Sequence, residues 1–173
     1  MSAIDNVPTN KNFLSPLGFK FAIKRAPHIN FFVQKANVPS LALPSIDIPT
    51  QFVPIPTNYT HVDYGRFEVT FAVDEDLKNY LEIHDWMRAL GFPDNYDEHA
   101  TLSRVPQYTG EGLVSDLSLI ILNSNKRGNF EFTFRDAFPV SLSGMQFDTT
   151  RDDVQYVTAI AEFAYIMYDI TKV

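Results

Sequence analysis

DEDLKNYLEIHDWMRALGFP, residues 74–93, carries a helical period with punctuation at both ends, and the rest of the chain reads as strand or loop. Asp74 is the predicted N-cap, and Glu75 and Asp76 place negative charge in the first turn, where the helix dipole favours it. Gly91 supplies a left-handed stop, and Pro93 prevents resumption. Leu77, Tyr80, Leu81, His84, Met87 and Leu90 recur every three or four residues; Ile83 and Trp86 widen this stripe into the predicted core face. Lys78, Glu82, Asp85 and Arg88 keep the opposite side wet, so the helix closes one side of a β core. Packing is the expected role of the whole stripe, His84 included, because a lone histidine among apolar residues is more often packed than reactive.

Upstream, Phe67, Val69, Phe71 and Val73 alternate with Glu68, Thr70 and Ala72, the period of a half-buried strand that feeds the helix directly. Phe19, Phe21 and Ile23 alternate in the same way, Arg25–His28 breaks the pattern, and NFFVQKA (residues 30–36) follows; these two strands are expected to pair as a hairpin. Downstream, Asp116–Leu122, the turn Asn123–Gly128 and Asn129–Phe134 form a second predicted hairpin, with Phe130, Phe132 and Phe134 on one face. Phe138–Leu142 continues it, Pro139 marking an edge or a bulge. Asp153–Asp169 reads as one long strand, apolar on both faces, with a helix as rival over Thr158–Ala164. The predicted class is therefore mainly β, of the α+β kind: an antiparallel β-sandwich or barrel flanked by one helix at about residues 74–91. The 173 residues suffice for a single domain with a substantial core.

Three segments stand outside this core. Residues 1–12 are polar and without period, and are expected to form a flexible N-terminal arm. Residues 37–66 interleave Pro39, Pro44, Pro49, Pro54 and Pro56 with large apolar side chains. Proline cannot donate to a ladder, so this stretch is an extended arm, an edge strand or a crossing between sheets. Leu41, Leu43, Ile46, Ile48, Phe52, Val53, Ile55 and Tyr59 still need cover, either from the same domain folding back or from another copy of the chain. Residues 92–112 form a long loop of the kind that is usually functional or disordered; its Tyr96 and Tyr108 join the candidate subunit interface.

Composition excludes several function classes. A net charge of −7 argues against a surface that grips nucleic acid or anionic membrane. Without cysteine there is no disulfide, thiolate nucleophile or cysteine zinc site. No signal peptide or membrane span is evident, so a soluble, unsecreted product is expected. His28, His61, His84 and His99 lack metal-ligand spacing, no Gly-x-Ser-x-Gly elbow occurs, and Gly110–Gly112 has the wrong flanks for a phosphate loop. The carboxylate runs Asp74–Asp76 and Asp152–Asp153 give no reason to expect two groups facing each other across a cleft. No catalytic, cofactor-binding or metal-binding residue is predicted. A β-rich acidic domain with an uncovered proline-rich arm suggests a structural or assembly protein.

PLGFKFAIKRAP (residues 16–27), FFVQKANVPSL (31–41), FEVTFAVDEDLKNYLEIHDWMRALG (67–91) and FEFTFRDAFPVSLSGMQFD (130–148) occur in an order that resembles the tail tube proteins of contractile-tailed bacteriophages, related in fold to the type VI secretion tube protein. The resemblance spans Pro16 to Ile170, and the strand that runs into an acidic, Trp-containing helix is its most specific part. It implies a virion protein assembled in the host cytoplasm. Subunits would close into a homohexameric ring with a continuous inner β-barrel, and rings would stack into a tube for DNA passage during genome ejection. The implied partners are the chain itself and the tail sheath, baseplate and tail terminator proteins, with DNA passing unbound and no membrane partner. The dense prolines and the 92–112 insert depart from the plain pattern, so a baseplate or neck ring protein of the same fold remains open. So does a non-catalytic ligand-binding β-sandwich, since fold alone does not fix function.

Overall fold

A computed structural model describes residues 12–58, 61–91, 100, 103–105, 112–150 and 156–173. Its elements are β1 (Phe19–Ile23), α1 (Ile29–Phe32), β2 (Val33–Asn37), β3 (Leu41–Ala42), β4 (Ser45–Ile48), β5 (Ile55–Asn58), β6 (Asp63–Tyr64), β7 (Phe67–Ala72), α2 (Lys78–Gly91), β8 (Ser115–Leu122), β9 (Gly128–Leu142), β10 (Thr158–Ala164) and β11 (Met167–Lys172). Seven strands make the main sheet, in the order β1-β8-β9-β10-β7-β2 with β11 also paired to β9, and every pairing is antiparallel. The mainly β fold with one long flanking helix is as the sequence implies.

β9 organises this sheet. Its first half pairs with β8 and β11, and its second half pairs with β10. Between the halves Asp136 sits at φ 52° and the register with β8 slips. The Asp136 N–H donates to Asp116 Oδ1 at 3.0 Å, so the bulge leaves no orphan amide there. The bend folds the sheet over on itself: Phe21 of β1 stacks on Phe67 of β7 at 6.0 Å although three strands separate them in the order. Phe67 also meets Phe134 at 4.5 Å, and these rings, with Ile23, Val69, Phe71, Leu117, Leu119 and Phe163, fill the space between the two layers.

Several local expectations are corrected. β1 and β2 do not form a hairpin; they pair with β8 and β7 and lie at opposite ends of the strand order. Alternation revealed β1 and its buried face but held no information on its partner, and the first part of the expected 30–36 strand is helical, in α1. Asn30 turns the chain between them, accepting from Ile23 N–H at 3.0 Å and donating to Ile23 O at 3.2 Å. The expected long strand over Asp153–Asp169 is divided into β10 and β11, because the bend in β9 gives its two halves different neighbours; residues 151–155 lie outside the described set. The hairpin of β8 and β9 has the expected facing rows, with Ile121 opposite Phe130, Leu119 opposite Phe132 and Leu117 opposite Phe134. Pro139 stands where the register between β9 and β10 slips.

The helix starts later than expected and is rotated. Asp74 does not cap it; its carbonyl accepts Leu77 N–H in a turn, Leu77 takes φ 58°, and the helix begins at Lys78 with no acid in its first turn. Gly91 is its last residue and is not left-handed; Pro93 lies outside the described residues. The buried stripe runs through Asn79, Ile83, Trp86 and Ala89, with Tyr80, Met87 and Leu90 half-buried on its flank. Leu81 is 45% exposed, and the His84 ring points toward Asp85 at 3.0 Å, so neither is part of the buried stripe; Leu77 is half-buried in the preceding turn. The cause of the rotation is Asn79. Its side chain donates to Ala72 O at 2.8 Å and accepts from Asp74 N–H at 3.2 Å, which fastens the end of β7 to the helix and turns that polar position inward.

Candidate subunit interface

The strands β3 to β6 leave the body between β2 and β7 as a β-hairpin built in two tiers. β3 pairs with β6 at the base, and β4 pairs with β5 further out. Tyr64 anchors the base, its ring meeting Tyr165 at 6.0 Å and Tyr168 at 5.6 Å. The Tyr165 hydroxyl donates to Gly65 O at 2.8 Å. Burial pushes this phenol up to about 12, with the neighbouring Tyr168 and Tyr64 adding to the effect. Gly65 N–H donates to Ser40 O at 2.9 Å, and a Cβ at this glycine would lie 2.9 Å from Ser40 Oγ, so the strands can close here only over glycine.

The ribbon accommodates its prolines by geometry. Pro49 and Pro54 flank the tip, and Thr50 closes it by hydrogen bonds to Val53. Pro56, opposite Asp47, fits because a two-stranded ribbon turns every second amide outward. The same alternation sorts side chains. Ile46 faces Thr57 and Ile48 faces Ile55, which gives one apolar face; Ser45, Asn58, Asp47 and Pro56 make the other. Nothing among the described residues lies over the apolar face, and all four residues of each strand are exposed. Phe52 at the tip is 90% exposed and Val53 64%.

The hairpin thus brings together Leu41, Leu43, Ile46, Ile48, Phe52, Val53 and Ile55, all exposed. Tyr59, Tyr96 and Tyr108 lie outside the described residues. Phe13 and Leu17 escaped the sequence reading, at 98% and 93% exposure; they are isolated apolar residues in a segment without a period to flag them. Among the described residues no group of three acids or histidines is placed to hold a metal ion, and no helix is long and apolar enough to cross a membrane.

A family model described as phage tail tube protein matches residues 5–171. The chain belongs to the phage tail tube protein family. No curated protein matches it in sequence. The fold of this tail tube protein is similar to the tube-terminating cap of the anti-feeding prophage, with a TM-score of 0.60, 12% identity and 100% of each chain covered. It is similar too to a chain in the sheath-tube complex of an extracellular contractile injection system, PVC, in the extended state, with a TM-score of 0.59, 11% identity and 94% of each chain covered. The sheath/tube terminator of that system gives a TM-score of 0.59 at 10% identity, over 94% of this chain and 99% of the other. At such identities the likeness is one of fold. The tail tube protein shares its architecture with these chains, and its hairpin presents an apolar surface that the described residues leave uncovered.

Proposed function

We propose that this tail tube protein is the shaft subunit of a phage tail tube, assembling into stacked homohexameric rings through which DNA passes during genome ejection. The observation that carries this reading is the hairpin: a sorted apolar face on a projecting ribbon with no cover among the described residues. Exposed apolar surface of that kind marks an interface. A sheet that ends in the outer edges of β1 and β2, unpaired among the described residues, supports ring closure, since joining the sheets of neighbouring copies into one inner barrel leaves no edge open. A head-to-tail contact between unlike patches closes into rings or propagates as a stack. The net charge of −7 suits a channel for a polyanion, because repulsion keeps the passing DNA from sticking. The role is mechanical and needs no catalysis. The protein belongs in the virion tail after assembly in the host cytoplasm, with sheath, baseplate and tail terminator as neighbours.

The folds of the cap, the terminator and a baseplate chain, the last at a TM-score of 0.53, support a second reading as a ring at one end of the tube. Negative-stain images of the purified protein separate the two: long tubes support a shaft subunit, and single rings that never stack support a terminal ring. A protein that stays monomeric at high concentration contradicts both and favours a ligand-binding sandwich.

A further inference from the structure

The inner face of the β1-β8-β9-β11 layer continues past the core into an open groove of about 600 Å³. Ile121, Phe130, Phe132 and Ile170 form its floor, and Phe13 and Leu14 form one wall. The register explains the shape. Ile121 stands opposite Phe130 and Ile170 opposite Phe132, so the row of side chains that is buried at Leu117 and Phe134 runs on beyond the cover of the second layer. The turn between β8 and β9 borders the groove through Asn123, Ser124 and Asn125 and carries Lys126 and Arg127, both exposed and neither paired with a carboxylate among the described residues.

The same chain carries the complementary shape. Between Val38 and Gly65 there are two carboxylates, Asp47 and Asp63, and no lysine or arginine. Phe52 and Val53 project from the end of this acidic ribbon, and Asp47 lies just below the tip loop, in the pair next to Ile48 and Ile55. At 90% exposure Phe52 does not occupy the groove of its own chain.

We infer that the groove of one subunit receives the Phe52–Val53 tip of the hairpin from another copy, with Lys126 and Arg127 facing the acidic ribbon. This rests on the tube reading and names the receptor for the hairpin. An acidic apolar knob and a basic-rimmed apolar hollow at different places on one chain are what a heterologous, self-propagating contact requires. The ring of Phe52 supplies the buried aromatic anchor on which such contacts usually depend.

Because the chain has no cysteine, the pairing can be read by cross-linking. Three single-cysteine variants are made at exposed positions: Gln51→Cys beside the Phe52 anchor, Ile170→Cys, and Thr171→Cys on the opposite face of the layer from Ile170. Equimolar mixtures are allowed to assemble, oxidised and run on a non-reducing gel. The expected result is a disulfide dimer from Gln51→Cys with Ile170→Cys at least tenfold above that from Gln51→Cys with Thr171→Cys, lost when Lys126→Glu and Arg127→Glu are added to the groove partner. Assembled rings or tubes without the 51–170 product overturn this inference and leave the tube reading standing. A 51–170 product that forms only after residues 1–11 are deleted also overturns it, since the groove then belongs to the chain's own N-terminal segment. Absence of any assembly overturns both.

Discussion

Trp86 joins the helix to the sheet. It is fully buried, its ring meets Phe163 at 6.3 Å, and its Nε1–H donates to Leu113 O at 3.0 Å. Trp86→Ala removes the largest buried side chain and is expected to cost about 3–5 kcal/mol, with a matching fall in the urea midpoint. An unchanged midpoint means that the ring is not part of the core. Trp86 was legible in the sequence because large apolar residues at helical spacing fall on the buried face. Asn79 was not: its burial depends on the carbonyl of Ala72 and the amide of Asp74, which only the fold brings to it. Tyr165 makes the second residue-scale prediction. Its phenol is pushed up to about 12, above the ordinary value near 10, so the native state holds this proton more tightly than the unfolded chain does. Its contribution to stability is fully present below about pH 10 and is lost as pH rises from there through about 12. Denaturant midpoints across that window should fall less steeply for Tyr165→Phe than for the parent, and identical slopes contradict the assignment.

Among the elements, most core strands were legible, but of their partners only the hairpin of β8 and β9 was. Alternation identified β1, β7 and β9 and the face each one buries, because a pleated strand exposes its period directly in the sequence. Pairing depends on distant residues. β1 and β2 looked like a hairpin through proximity alone, and the break between β10 and β11 follows from a bulge in β9 at Asp136. The start of α2 shows the same limit. Asp74 has the chemistry of an N-cap, yet Leu77 in the left-handed region ends the preceding turn and delays the helix to Lys78. A leucine in that conformation costs roughly 1–2 kcal/mol, against about 0.5–1 kcal/mol for the extra freedom that glycine brings to the unfolded chain. Leu77 is only half-buried and lies outside the core cluster. Leu77→Gly is therefore expected to hold or raise the melting temperature in a calorimetric scan, and a fall of several degrees contradicts the account of the turn.

The whole molecule is a two-layer body with a projecting ribbon, and the ribbon is where sequence and assembly meet. Its apolar residues were recognisable as a problem of cover because prolines ruled out a central strand, while the question of which copy covers them is not written in a single chain. The seven described residues of the predicted interface gather on the hairpin, and the sorting of Ile46, Ile48 and Ile55 onto one face of β4 and β5 appears only once the register is known. The central claim is that this surface holds subunits together and does little for the fold of each one. Sedimentation velocity with circular dichroism on Phe52→Asp/Ile55→Asp tests it most directly, because burying each new carboxylate at a contact costs on the order of a few kcal/mol, whereas in the free subunit both positions are exposed. The expected result is a folded monomer with the parent's dichroism and no rings or tubes; normal tubes, or an unfolded chain, contradict it.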